Sequence, residues 1–162
     1  MKLFPALLLT GILTFSLSLQ AADKPSAAKG KLTSIQGIAE ATEAKLNTAG
    51  VTSVDDLLDK GATPKGRDDI AAKSGLSSAQ VLKFVNYADL FRIKGIAGQT
   101  AELLQASGVS TVAELAQRNP ANLAAKLKET NDAKKLTGQV PSEKQVTGWI
   151  EAAKTLPKKV TY

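Results

Sequence analysis

Apolar residues recur along this chain at helical spacing, and the longest stripe occurs twice. Val81, Phe84, Val85, Ala88 and Phe91 are separated by steps of 3, 1, 3 and 3, which places them on one face of a helix. The stripe returns 65 residues later as Val146, Trp149, Ile150, Ala153 and Leu156. Shorter periodic segments lie before each stripe, and no stretch alternates as a half-buried strand would. Start and stop signals divide these segments into helices. Ser77-Ser78-Ala79-Gln80 is a capping box, Thr111-Val112-Ala113-Glu114 another, and Ser53-Val54-Asp55-Asp56 a weaker one. Thr63-Pro64 and Asn119-Pro120 each pair an N-cap with proline at the first helical position. Gly50, Gly75 and Gly108 sit where helices end. Asp55, Asp56 and Glu114 then suit a helix start and its dipole, with no catalytic role required.

A turn precedes each set of helices. Ile35-Gln36-Gly37-Ile38-Ala39 is repeated as Ile93-Lys94-Gly95-Ile96-Ala97, and the ungapped match continues through Leu46/Leu104, Gly50/Gly108 and Leu57/Leu115 at an offset of 58. Such a match is the mark of an internal duplication. The motif is too short and too glycine-marked for a strand, and reads as a tight turn in which glycine supplies the backbone conformation. The offset grows from 58 to 65 across Asn131–Gly138, which reads as a polar loop holding the additional residues. The expected architecture is all-α: two tandem four-helix units, repeat one about 32–91 and repeat two about 92–157. The units are related by a pseudo-twofold and share one core. On that symmetry the Phe84 stripe packs on the helix after Gly95, and the Trp149 stripe on the helix after Gly37, beside Ile38 and Leu46. Residues 158–162 read as a frayed tail.

Composition narrows the chemistry. The chain contains neither cysteine nor histidine. Disulfides, thiolate nucleophiles and cysteine metal sites are therefore excluded, along with the usual neutral-pH base and the commonest metal ligand. No cofactor, metal or catalytic residue is expected. The net charge of +6 is a mild excess that permits anionic partners without specifying one.

The first 21 residues carry Lys2, an apolar run from Leu3 to Leu19, and a small residue at Ala21, the pattern of a secretory signal. The run is interrupted by Pro5, Thr10 and Ser16 and is short for a span of about 20 residues. A retained anchor is the alternative to cleavage. After cleavage no membrane span remains, and the mature chain is expected to be exported, periplasmic in a two-membraned bacterium. Residues 22–31 read as a flexible linker.

Ile-x-Gly-Ile-Ala followed by a helix resembles the helix-hairpin-helix motif, whose DNA-binding form reads apolar-Gly-apolar-Gly and holds a phosphate on backbone N–H groups. From about Leu32 to Leu156 the chain is similar to the bacterial family known as domain of unknown function 4332. The features that carry this likeness are the Gly-Ile turn with its later Ala/Ser-Gly-Val, Ala62–Arg67, Phe84–Leu90, Gln117–Pro120, and the closing Pro-Ser-x-x-x-Val-x-x-Trp-Ile. The resemblance implies a fold and no particular activity. The chain departs from the DNA-binding hairpin in one respect: the second glycine is Ala39 in one copy and Ala97 in the other. Glu40 and Glu43 also oppose an anion at the first turn. The candidate phosphate contacts therefore lie in the second: Lys94, Gly95, Ala97, Gly98, Gln99 and Thr100. The alternative reading makes Gly37, Ile38, Gly95 and Ile96 structural turns with their isoleucines buried. Two functions remain: an exported helical module that binds a protein, or sequence-independent DNA binding through the second hairpin.

Overall fold

The computed structural model describes residues 30–162. A 3-10 turn at Leu32–Ser34 leads into eight helices: α1 (Glu40–Thr48), α2 (Val54–Gly61), α3 (Pro64–Ser74), α4 (Ser78–Leu90), α5 (Gly98–Ala106), α6 (Val112–Leu115), α7 (Pro120–Lys134) and α8 (Glu143–Thr155). There is no strand among the described residues, so the fold is all-α. The segment read as a secretory signal, and residues 22–29 of the linker, lie outside the described residues.

Local chemistry sets most helix starts. The side chains of Ser53, Thr63, Ser77, Thr111, Asn119 and Ser142 each accept a bond from an N–H in the first turn of the helix they open. The boxes at Ser77/Gln80 and Ser142/Gln145 are reciprocal. In α2 and α6 the acid reaches one residue further back than a capping box requires. Asp56 accepts from the Thr52 amide at 3.1 Å, and Glu114 from the Ser110 amide at 2.8 Å. The Thr52 hydroxyl and amide together hold the Asp56 carboxyl below its usual range.

Packing recurs from one half to the other. α1 packs on α3, α3 on α4 and α2 on α4; correspondingly, α5 packs on α7, α7 on α8 and α6 on α8. α4 also meets α5 across the hairpin, and the buried side chains of both halves form one contiguous cluster from Leu32 to Val160. That α4–α5 packing is as expected, but the Trp149 stripe departs from the symmetry expectation, and Phe84 gains a further partner. Phe84 lies against Gly37, where a Cβ would stand 3.5 Å from the ring, and Trp149 lies against Gly95, where it would stand 3.2 Å from the indole nitrogen. Each long helix thus covers the turn of its own half. The stripe of α4 is also broader than its periodicity suggests. Every residue from Phe84 to Leu90 is buried, because α2, α3 and α5 enclose that end.

Two expected loops carry structure. α7 continues through Lys134, so the polar loop begins at Lys135, which caps the helix at φ 53°. Asn131 holds that loop, donating to the Thr137 carbonyl at 3.0 Å and accepting from its amide at 2.9 Å. The segment read as a frayed tail is docked instead. Val160 is 1% exposed, the Thr161 amide donates to the Ala62 carbonyl at 2.9 Å, and Lys159 pairs with Asp59. The linker also ends earlier than expected, since the Gly30 carbonyl already accepts from the Val54 amide.

Candidate functional site

The second hairpin is closed by a bond from the Ile96 amide to the Ile93 carbonyl at 3.1 Å, with Gly95 at φ 93°. The first has the same bond between Ile38 and Ile35, and Gly37 stands at φ 92°. This is the left-handed side of backbone space, which explains glycine at both corners. All four isoleucines are buried. The turns are therefore packing corners whose tips face outward: Lys94, Gly95, Ala97 and Gln99 are exposed, while Gly98 and Thr100 are half-buried.

α5 opens on Ala97, whose extended backbone supplies no side-chain cap. No local pattern indicates what faces this helix end. The Ser34 carbonyl of the opening 3-10 turn stands so close to Gly98 that a Cβ there would lie 2.9 Å from its oxygen. The fold thus brings the entry to the first hairpin against the start of α5, and glycine at 98 is required by that approach. A carbonyl oxygen beside a helix N-terminus presents the dipole an anion would otherwise satisfy. α1 likewise opens on an uncapped alanine, with Glu40 and Glu43 in its first turn.

Two polar junctions have no counterpart among the sequence candidates. At the first, Asp89 of α4 is 1% exposed; it accepts from the Val112 amide of α6 at 2.8 Å and from the Arg92 guanidinium at 2.7 Å. Arg92 also donates to the Pro157 carbonyl at 3.0 Å. At the second, Arg67 of α3 is 5% exposed and donates to the carbonyls of Gly61, Ala62 and Thr161. Asp89 lies within Phe84–Leu90 and Arg67 within Ala62–Arg67, two of the stretches that carried the family likeness. No local signal marks either as buried.

An open recess of 280 Å³ lies beside these junctions, lined by Thr111, Glu114, Arg118, Lys158 and Tyr162 among others. A second, of 290 Å³, is bounded by Lys83, Tyr87, Glu102 and Lys134. Burial, with Glu102 nearby, pushes the Tyr87 phenol up to about 12. Among the described residues no group of three or more Asp or Glu side chains is placed to hold a metal ion. Also among them, no helix is long and apolar enough to cross a membrane.

A family model described as Domain of unknown function (DUF4332) matches residues 36–156. The match runs from inside the first turn to just past the end of α8, leaving the opening 3-10 turn and Pro157–Tyr162 outside it. No curated protein and no solved structure matches the chain.

Proposed function

The chain belongs to the family described as Domain of unknown function (DUF4332), and on that premise we propose that it is a non-catalytic, exported helical module that binds a protein partner. The observation that carries this reading is the fate of the buried charged groups. Asp89 is bonded to the Val112 amide at the start of α6 and Arg67 to main-chain carbonyls of its own chain. Charged groups of an active site are characteristically aimed at a substrate position instead. The two recesses described above are open to solvent and stand at the small end of the range for small-molecule pockets, which fits recognition over an extended surface.

The charge pattern favours protein over nucleic acid. Lys60, Lys65, Lys126, Lys128, Lys154 and Lys159 each pair with a carboxylate, so these bases form no single-sign face. At the second hairpin Lys94 is the one base among the candidate contacts, and Ser34 presents a carbonyl beside Gly98. Export rests on residues 1–21 read as a secretory signal.

The test uses the mature chain as bait on the exported fraction, together with a salt titration against duplex DNA. Saturable capture of a protein, competed by free chain, is the expected result, with duplex binding weak or absent at physiological salt. Submicromolar duplex binding that falls steeply with salt and is lost in Lys94→Glu would replace this reading with the DNA-binding one.

A further inference from the structure

Pro157–Tyr162 has no helical structure and lies along the surface of the helices. Leu156 is extended after α8 at ψ 138°, and the segment then crosses to the other half of the molecule. The Thr161 amide donates to the Ala62 carbonyl at 2.9 Å, and the Thr161 carbonyl accepts from Arg67 Nη2 at 2.8 Å. Both main-chain groups of one residue are thus taken up. Val160 is buried, while its neighbour Thr161 is exposed and Lys159 reaches out to Asp59. One side chain in, with those on either side out, is the period of an extended strand. Tyr162 ends beside Glu114 of α6, with a hydroxyl-to-carboxylate distance of 3.4 Å.

The receiving surface is built for this. Arg67 Nη1 is fixed by the Gly61 and Ala62 carbonyls, each at 3.1 Å, which aims Nη2 at the position of the Thr161 carbonyl. Emptying the cleft would leave Arg67 Nη2 without its acceptor and the Ala62 carbonyl with only its bond from Arg67 Nη1. What the cleft reads is backbone, one compact apolar side chain and one base; main-chain bonds of this kind give affinity, and pockets for alternate side chains give specificity. The segment lies beyond the family match, whose residues 36–156 include all eight helices.

We propose that the cleft formed by the end of α2, Arg67 of α3 and the edge of α6 is a binding site for an extended peptide of a protein partner. That peptide carries a valine-sized side chain preceded by a basic residue, and Lys158–Tyr162 occupies the site in cis until a partner displaces it. This deepens the protein-binding reading and rests on it for the class of partner. The strap is a built-in competitor, so a partner sees only the fraction of molecules in which the cleft is free.

The probe is a labelled, amidated peptide with the sequence of residues 157–162, titrated by fluorescence anisotropy against the full chain and against its Val160→Asp variant, with far-ultraviolet circular dichroism as the folding control. Saturable binding to the folded variant is expected, with binding to wild type about tenfold weaker or more. Replacing the peptide's valine by aspartate, or adding Arg67→Met to the variant, should remove binding. Equal binding to both chains, or none to a folded Val160→Asp chain, overturns the proposal. Loss of helix in that variant also overturns it, because the strap would then be part of the fold. Wild type supplies an independent measurement: the Thr161 amide should exchange by local opening, far faster than Leu127 in α7. Exchange of both only through global unfolding would show that the strap never leaves. A captured protein that neither Val160→Asp nor the peptide affects would sink the cleft while leaving the wider reading standing.

Discussion

Removing the Asp89 carboxylate tests how the two halves are joined. The side chain is 2% exposed, its ion-pair partner Arg92 is 8% exposed, and its second oxygen holds the first amide of α6. α6 has four residues, too few to be stable by itself, so its start depends on this bond and on the Thr111 cap. Asp89→Ala leaves a buried guanidinium and a buried N–H without their acceptor. Breaking a buried pair on one side costs about 3–5 kcal/mol. A domain of this size loses about 4 °C of melting temperature per kcal/mol, so a fall of about 12–20 °C is expected. Asp89→Asn keeps an acceptor for Val112 but loses the charge and turns an amide NH2 toward the Arg92 guanidinium, and should fall between wild type and alanine. Asp89→Leu combined with Arg92→Leu removes both charges and should recover part of the loss, since apolar replacement of a buried pair is often neutral or better. The assay is urea unfolding followed by circular dichroism, completed as a double-mutant cycle. A loss below about 1 kcal/mol for Asp89→Ala would place the pair with exposed ion pairs and refute the argument.

Gly95→Val should destabilise by about 1–3 kcal/mol, because a β-branched residue is strained at φ 93° and its Cβ crowds the Trp149 indole. Gly37→Val, with more room beside Phe84, should lose less, and a denaturation midpoint equal to wild type for Gly95→Val would contradict the account. Trp149→Ala should cost about 3–5 kcal/mol and unfold both halves in one transition, since their buried residues form a single cluster; two transitions by circular dichroism would show that the halves fold separately. In Tyr162→Phe the remaining phenol, Tyr87, should titrate near 12 by its tyrosinate absorbance. A raised folded value favours the neutral phenol, so this contribution to stability is complete below an unfolded value of about 10 and is lost as pH rises through 12. Ionisation of Tyr87 near 10 in the folded chain would remove the basis of that window.

Features whose bonding partners lie within a few residues were legible in the sequence. Ser77 and Gln80 satisfy each other across three positions, Asn119 and Pro120 open α7 by chemistry internal to one turn, and Gly37 and Gly95 are dictated by a backbone angle. The eight helices of the described residues, their order and the burial of the hairpin isoleucines follow from such local rules. A periodic stripe states that a face must be buried, and nothing in it names the surface that buries it. The path of the chain therefore decided that Trp149 covers Gly95, where symmetry had placed it beside Ile38 and Leu46, and that α4, besides meeting α5 as expected, sets Phe84 over Gly37. The charged residues were beyond reach for the same reason. Arg67 and Asp89 carry no local mark of burial, since a charge is normally exposed, and only tertiary packing supplies the Thr161 carbonyl and the Val112 amide that offset their burial. Lys158–Tyr162 carries no helical pattern and so read as frayed. Its order comes from Ala62 and Arg67, nearly a hundred positions away in sequence, which no local signal can encode.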